Sequence, residues 1–308
     1  MENIATKENC LDDYIVVIGG ANVDMLGKPF AHLSLHDSAP GELKYTSGGV
    51  GRNITENLAR LGVKVKFITA FGDDSNGERL KGELEELGVD LSLSLTVKGK
   101  NTSAYLCLND ERGEMQYALS DMQILNRLDE EFFEDKLAII NNAKCVVLDT
   151  NLGKILGYLV KNITAPIFLD TVSAQKTENC RRYIKNLFFV KPNVVEAEAL
   201  VGDGIRSKND VERVANKILD LGNKNVVISL GEGGAYFSNV QECGYLKNGE
   251  FEIVSTTGAG DAFMAAEIYG YLKGMSLEEA TKLGLKAARI AASSSDTVSK
   301  DIGKLKIE

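Results

Sequence analysis

The fold class of this chain is indicated most clearly by residues 51–70, GRNITENLARLGVKVKFITA. Residues 51–61 have the spacing of a helix with one apolar face, and residues 64–70 form a β-branched run typical of a strand. The same alternation surrounds them, because residues 14–18 predict a strand and residues 77–87 predict a helix. Strands that alternate with helices predict parallel βαβ units and therefore an α/β fold.

Four later runs continue this pattern and are apolar on both faces, as in strands buried between two helix layers: residues 144–148, 166–170, 188–190 and 225–230. We therefore expect a three-layer α/β/α core around a mostly parallel sheet. Since no low-complexity linker or internal repeat divides the chain, we expect residues 1–308 to form a single domain.

Two stretches interrupt the alternation and predict a small β-flap, or lid, beside the core. Residues 28–46 are loop-rich and end in a strand-like piece, and residues 91–119 contain two strand patterns around the turn Asn109-Asp110-Glu111-Arg112-Gly113. Apolar residues such as Tyr105 and Tyr117 predict an exposed flap edge that pairs with a second copy, and hence a homodimer through the flap.

Composition and charge exclude several classes of protein. The 308 residues are 44% hydrophobic and carry a net charge of −9 without a basic run, which disfavours nucleic acid and anionic membranes as partners. No apolar stretch is long enough to cross a membrane, and residues 1–13 do not resemble a secretory signal, so we expect a cytoplasmic protein. Five scattered cysteines predict neither disulfides nor a zinc site, and His32 and His36 are expected on surface loops.

The strongest local feature is the run Ser255-Thr256-Thr257-Gly258-Ala259-Gly260-Asp261, between a strand-like run at 251–254 and a predicted helix at 260–273. Its glycines let backbone N–H groups converge beside a helix N-terminus, so we predict an anion hole. We expect Asp261 to stay ionised in the first helical turn and to accept the proton of an attacking hydroxyl. The alternative is that Asp261 only caps the helix.

A second glycine-rich run, Ser47-Gly48-Gly49-Val50-Gly51-Arg52-Asn53, also precedes a helix. Its glycines permit close approach to a ligand, and Asn53 offers a donor and an acceptor to sugar hydroxyls. Asn22 and Asp24 point the same way in an extended chain and suit a vicinal diol. The alternatives are a structural glycine turn and an Asx turn. A dinucleotide-dependent oxidoreductase is disfavoured, since the G-x-G-x-x-G fingerprint is absent.

Two further motifs follow predicted strands. Asn193 and Glu196 open a helix on one face, where the carboxylate can order water around Mg²⁺ and the amide can reach a phosphate. The same spacing is that of a helix N-cap, and both interpretations can hold at once. The turn at residues 229–234, SLGEGG, suits the phosphates or ribose of a nucleotide, although most such turns only reverse the chain.

Taken in order, these motifs closely resemble the ribokinase-like (PfkB) family of carbohydrate and nucleoside kinases over nearly the whole chain. They are Gly-Gly-x-x-x-Asp (19–24), Gly-Gly-x-Gly-x-Asn (48–53), Asn-x-x-Glu (193–196), Gly-x-x-Gly (231–234) and Thr-Gly-Ala-Gly-Asp (257–261). The resemblance implies a ribokinase-like fold with a lid over the sugar site, and it implies ATP and Mg²⁺ as cofactors.

The resemblance also assigns roles to residues. The catalytic group comprises the base Asp261 and the anion hole Gly258, Ala259 and Gly260. The sugar is held by Asn22, Asp24, Gly48, Gly49 and Asn53. The nucleotide faces Asn193, Ser229, Gly231 and Gly234, and Glu196 organises Mg²⁺. Ser255 stands where many members carry an aspartate that helps to build a monovalent-cation site, so activation by K⁺ is left open.

Less common strings are similar to those of family members that phosphorylate pseudouridine. They are Pro40-Gly41, residues 48–53, Asn101-Thr102-Ser103-Ala104-Tyr105, Gly113-Glu114-Met115, Ser120-Asp121-Met122 and residues 170–176. This resemblance implies ATP-dependent phosphorylation of the 5′-hydroxyl of pseudouridine. It places Asn151 against the sugar, Thr102 and Asp121 near the base and Lys176 at the ATP phosphates; the alternative for Lys176 is an exposed lysine without a ligand.

Two alternatives remain at this point. Ribose, inosine or adenosine would keep the reaction and change the substrate. A non-catalytic sugar or nucleotide sensor would be expected to have lost the aspartate or the anion hole, and both are intact in residues 258–261.

Overall fold

The computed structural model describes residues 13–34, 36–249 and 251–305, except for the side chain of residue 179. Cys10 and most of the polar N-terminal stretch lie outside the described residues. In chain order the strands are β1 (Ile15–Ile18), β2 (Asn22–Pro29), β3 (Gly41–Gly48), β4 (Val65–Ile68), β5 (Ala70–Gly72), β6 (Leu95–Val97), β7 (Ala104–Asn109), β8 (Met115–Asp121), β9 (Val146–Asp149), β10 (Ile167–Asp170), β11 (Phe189–Val190), β12 (Asn225–Ser229), β13 (Ala235–Asn239) and β14 (Cys243–Leu246).

The α-helices are α1 (Val50–Arg60), α2 (Ser75–Glu85), α3 (Glu130–Glu134), α4 (Leu137–Asn141), α5 (Leu156–Asn162), α6 (Ala174–Thr177), α7 (Val194–Val201), α8 (Lys208–Asp220), α9 (Ala259–Leu272) and α10 (Leu277–Ala292). Short 3₁₀ helices occupy Gln123–Arg127, Thr150–Ile155, Glu178–Asn186, Gly231–Gly233 and Lys300–Lys304. Within the described ranges, no helix is long and apolar enough to cross a membrane.

The largest sheet has the strand order β14-β13-β12-β11-β10-β9-β1-β4. Its pairs from β12 to β4 are parallel, while β13 and β14 are antiparallel to their neighbours. The predicted mostly parallel sheet is therefore confirmed.

Alternate residues of each central strand enter two different apolar cores, which is why the strands are apolar on both faces. On β1, Val16 and Ile18 pack with α5, α7 and α8, whereas Ile15 and Val17 pack with α1, α2, α9 and α10. The sheet thus lies between two helix layers, and this three-layer arrangement confirms the predicted α/β/α core.

A separate four-stranded sheet has the order β3-β2-β7-β8. The hairpin turn predicted at residues 109–113 joins β7 to β8. The sheet begins earlier than the sequence pattern indicated, because β2 starts at Asn22 directly after the first core strand. The short β6 pairs with β5 in a third sheet instead. Because β2 follows β1 so closely, the small sheet lies beside the carboxyl end of β1.

One strand expected from the sequence is absent. Residues 251–254 form no strand. Instead, the backbone N–H groups of Val254 and Ser255 both donate to the carbonyl oxygen of Ala292, at 2.8 and 3.1 Å. The end of α10 therefore takes the place of a strand partner and fixes the segment that leads into α9.

Candidate active site

The residues singled out from the sequence follow the carboxyl ends of parallel strands, where α/β sheets bind ligands. Asn22 follows β1, Asn151 follows β9, Asn193 follows β11 and Ser229 ends β12. The glycine-rich run of residues 255–261 reaches the same edge at the start of α9, where Asp261 accepts a hydrogen bond from Asn53 of α1. The fold therefore gathers motifs that are far apart in the sequence.

The predicted anion hole lies at the N-terminus of α9. Gly258 caps this helix with φ 82°, and a Cβ atom there would lie 1.9 Å from the carbonyl oxygen of Thr297. Only glycine fits this turn without moving the loop around Thr297. The first N–H groups of a helix have no intrahelical acceptor, so the N–H of Gly260 can serve an anion, and that of Ala259, which makes only a long 3.4 Å bond to the carbonyl of Thr256, can share it.

Asp261 lies in the first turn of α9 and is buried. Its Oδ2 accepts a hydrogen bond from Asn53 Nδ2 at 2.8 Å. Burial first, and then the charge of Asp170, raise the pKa of Asp261 to about 7, against the bond from Asn53 and the charge of Lys191, which lower it. The expectation that the helix dipole keeps this carboxylate fully ionised thus fails near neutral pH, because desolvation outweighs the dipole. A pKa near the working pH suits a general base.

The proposed sugar contacts meet at the root of the small sheet. Asn22 Nδ2 donates to Asp24 Oδ1 at 2.5 Å, so the two side chains point the same way on β2, as predicted. Gly48 is the cross-strand partner of Asn22, and a Cβ atom on it would lie 2.2 Å from Asp24 Oδ2. Gly49 has φ 97° and caps α1 against the carbonyl of Gly20. Gly48 thus leaves room for the Asp24 carboxylate, and Gly49 leaves room for the loop after β1.

Asn53 links the predicted sugar contacts to the predicted catalytic residue Asp261. It lies on α1, is 4% exposed, and its Nδ2 donates to Asp261 across 208 positions of sequence. Its Oδ1 accepts from the buried Arg52 at 3.0 Å. Since both ends of the amide are held, Asn53 fixes the Asp261 carboxylate beside the second glycine-rich run.

The proposed nucleotide contacts also adjoin one another. Asn193 and Ser229 form a bridge between β12 and the start of α7, and β12 then turns through Gly231 to Gly234 into β13. Asn193 and Glu196 make a capping box on α7, so the N-cap interpretation is confirmed. Glu196 Oε2 accepts from Asn193 N at 3.0 Å and from Thr171 Oγ1 at 2.7 Å, which fixes its carboxylate at this edge.

Lys176 is not an isolated exposed lysine. Its Nζ donates to Asn151 Oδ1 at 2.5 Å. Asn151 in turn lies against Gly20, where a Cβ atom would be 3.3 Å from Asn151 Nδ2. These two predicted contacts therefore form one pair beside the loop after β1.

Thr102 and Asp121 do not join this group. Thr102 Oγ1 donates to Asp74 at 2.6 Å and accepts from the backbone of Gly72, so its hydroxyl ties two loops together. Asp121 lies level with Ala104 and Val23 in the small sheet. Side chains alternate along β2, so this register places Asp121 on the face opposite Asn22 and Asp24.

Three charged residues that the sequence reasoning missed surround the site. Lys191 is 5% exposed, with Nζ 4.0 Å from Asp170 Oδ2 and close to Gly260. Asp149 ends β9, and its Oδ2 accepts from Gly20 N and Gly51 N at 2.8 and 2.9 Å. Burial raises the pKa of Asp149 to about 6. Two features of the sequence could have indicated these residues: an aspartate at the end of a predicted strand, and a lysine directly before Pro192.

A model of the pfkB carbohydrate kinase family matches residues 12–302. The chain belongs to the pfkB family. It is 36% identical to the pseudouridine kinase of Escherichia coli (strain K12), and the alignment covers 94% of each chain. These findings confirm the family and show that the protein is a phosphotransferase that acts on a hydroxyl group.

Solved structures agree with this pfkB assignment. A putative sugar kinase from Clostridium perfringens superposes with a TM-score of 0.86 at 35% identity, over 96% of both chains. A ribokinase from Arabidopsis thaliana, solved with ribose and ATP, has a TM-score of 0.85 at 21% identity over 96% of this chain and 99% of that one. The ribokinase-like fold is therefore confirmed.

Proposed function

We propose that this pfkB kinase transfers the γ-phosphoryl group of ATP to the 5′-hydroxyl of pseudouridine. The observation that carries the proposal is the hydrogen bond from Asn53 to Asp261. It places a carboxylate with a pKa near 7 between the glycine-rich run at the sugar side and the helix N-terminus at the phosphate side. A hydroxyl held on the sugar side then has a base and an anion hole within reach.

The reaction follows from these positions. Asn22 and Asp24 hold the ribose hydroxyls and orient the 5′-hydroxyl toward Asp261. Asp261 accepts the hydroxyl proton as the oxygen attacks the γ-phosphorus, and the N–H groups of residues 258–260 stabilise the charge on the moving phosphoryl group. The small sheet closes over the sugar as a lid and keeps water, the competing acceptor, away.

The nucleotide side completes the site. Asn193, Ser229 and the turn from Gly231 to Gly234 contact ATP, and Lys176 lies at the phosphates, with its bond to Asn151 leading to the sugar. Glu196, whose carboxylate is fixed at this edge by Asn193 N and Thr171 Oγ1, would hold Mg²⁺ together with the phosphates of ATP. A metal ion held there would supply positive charge to the phosphates. Because Ser255 brings a hydroxyl instead of a carboxylate, we propose that turnover does not require K⁺.

Pseudouridine is supported by two observations. The E. coli pseudouridine kinase spans nearly the full chain at 36% identity. The string at residues 101–105 also leads into β7, where Tyr105 lies level with the proposed sugar contact Asp24. Ribose and the purine nucleosides use the same reaction, so a substrate comparison distinguishes them.

The test measures ADP formation from ATP and Mg²⁺ with pseudouridine, uridine, inosine, adenosine, cytidine and ribose. We expect turnover with pseudouridine far above the others, and a 5′-monophosphate as product. If ribose or inosine is turned over and pseudouridine is inert, the proposed substrate is wrong, but the proposed phosphoryl transfer with Asp261 as base still stands. ATP and substrate binding without turnover of any candidate would favour the sensor alternative.

We also propose a homodimer through the small sheet, on one face of it. The register aligns side chains on the face that carries Val23, and most are apolar: Met25, Leu43, Tyr45, Leu106, Leu108, Tyr117 and Leu119. Tyr117 and Leu119 are 62% and 66% exposed. Tyr105 lies on the other face beside Asp24, so it faces the substrate and not a partner, contrary to the sequence expectation.

The homodimer is tested with a charge placed on this face. Leu119→Asp should shift the mass from light scattering at micromolar concentration from dimer to monomer, because a buried unpaired carboxylate disfavours the interface. Lys161→Asp on α5 changes the charge elsewhere and should leave the dimer intact. A monomeric wild-type protein at these concentrations would contradict the proposal.

A further inference from the structure

A second cavity lies at the opposite edge of the main sheet from the active site. Its volume is about 300 Å³, and it opens among the amino ends of β10, β11 and β12 and the helices α9 and α10. Glu267 on α9 lines it, six residues and about 9 Å along the helix from Asp261. This volume suits a small ligand.

An aromatic cluster forms one wall of this cavity. Phe168, Phe188 and Tyr271 all line it, and their ring centroids are 5.0 to 5.4 Å apart. Met275 and Leu277 add apolar surface from the segment that leads into α10. The wall can therefore cover the apolar body of a ligand.

The charges at this cavity are acidic. Glu267 is 2% exposed, and its Oε1 has no hydrogen-bond partner. Glu242 lies at the mouth, where one carboxylate oxygen accepts from the backbone of Leu277 at 2.6 Å. Among the described residues that line the cavity, none is basic. A buried carboxyl oxygen without a hydrogen bond is costly, so a complementary ligand group would relieve it.

We propose that this cavity binds a small organic cation, with an amidinium, guanidinium or ammonium group toward Glu267 and an apolar body against the aromatic wall. The two carboxyl groups supply the countercharge, and aromatic rings attract cations. A neutral planar molecule of the same shape would gain the apolar contact alone, so it should bind more weakly.

The ionisation of Glu267 gives the binding a signature. Burial raises the pKa of Glu267 to about 8, against the effects of Thr281 on α10 and Lys191 before α7. Glu242 and Tyr271 are the other titratable groups at the cavity. A cation would therefore bind the ionised form and release a proton at pH 7. About one-eleventh of Glu267 is ionised at pH 7 and about ten-elevenths at pH 9, so affinity should rise roughly tenfold.

The experiment is calorimetric titration of the full chain with benzamidine, and with benzamide as the neutral isostere. We expect benzamidine to bind at least about tenfold more tightly, the effect of one charge-assisted hydrogen bond. Proton release should appear as a dependence of the heat on the ionisation enthalpy of the buffer. Equal binding of the two probes, or no binding of benzamidine at millimolar concentration, would overturn the proposal.

Three variants locate the binding. Glu267→Gln keeps the shape and removes the countercharge, so benzamidine affinity and proton release should both fall. Gln241→Lys places a cation at the exposed mouth, away from the core, and should also weaken binding, whereas Gln241→Glu should not. Unchanged affinity in Glu267→Gln, or displacement of benzamidine by ATP, would place the probe elsewhere and refute the assignment.

Discussion

The pH dependence of turnover tests the role of Asp261 through its environment. The raised pKa of about 7 has burial as its main cause, followed by the nearby Asp170. A base works only when ionised, so kcat/KM should rise with pH through this pKa. The ionised fraction is about one-eleventh at pH 6 and about ten-elevenths at pH 8, which predicts a roughly tenfold increase between them.

The assay measures ADP release between pH 5.5 and 9 with both substrates well below KM, so that the profile reports the free enzyme. Lys191→Met removes a charge that lowers the pKa of Asp261, so its midpoint should move to higher pH. The residual activity of Asp261→Asn is the control, because titration of ATP itself would persist in it. A wild-type profile that is flat from pH 6 to 8, or has its midpoint near 4, would show that a base with a raised pKa at Asp261 does not control turnover.

Three further substitutions follow from the same contacts. Asp261→Asn should lower kcat by at least about 10²-fold, yet stabilise the fold above pH 7. Because the pKa of Asp261 is raised in the folded state, the wild-type protein loses stability as pH rises from 3.8 through about 7, by roughly 4 kcal/mol in all. Denaturant melts of both proteins at pH 5 and 8 check this, and a variant with the same stability difference between the two pH values as the wild type would contradict it. Asp149→Asn puts an N–H donor either against the amides of Gly20 and Gly51 or against that of Asn151, because both Asp149 oxygens accept backbone N–H groups. The KM for nucleoside should therefore rise about tenfold, a loss of roughly 1.4 kcal/mol, with the KM for ATP nearly constant; equal changes in both would refute its positioning role. Gly258→Ala forces a Cβ against the Thr297 carbonyl and should reduce kcat more than nucleoside affinity; near-normal turnover in a folded variant would remove the anion hole from this turn.

Local sequence patterns predicted the core well. The runs at residues 14–18 and 225–230 became β1 and β12, and residues 51–61 became α1, because apolar periodicity reports burial directly. Residues 251–254 look like a strand for the same reason, but their amides bind the end of α10. A β-branched run shows that a segment is extended without showing its partner.

The site was predicted where motifs are local and missed where contacts are long-range. Asn193 and Glu196 lie in one turn, so their pairing followed from spacing alone. The bond between Asn53 and Asp261, and the amides that Asp149 collects from two loops, depend on how α1 and β9 pack. The register of β7 and β8 likewise separates Tyr105 from Tyr117, and register is set by pairing across strands.

The proposed phosphorylation of pseudouridine is tested most sharply by a competition between pseudouridine and uridine in one reaction with ATP and Mg²⁺. The two nucleosides have the same mass and the same 5′-hydroxyl, so their monophosphates are separated by chromatography, and the product ratio gives the ratio of kcat/KM. We expect pseudouridine 5′-phosphate to accumulate first and in large excess, and Asp261→Asn to form neither product at a comparable rate. Equal phosphorylation of both nucleosides, or a preference for uridine, would contradict it.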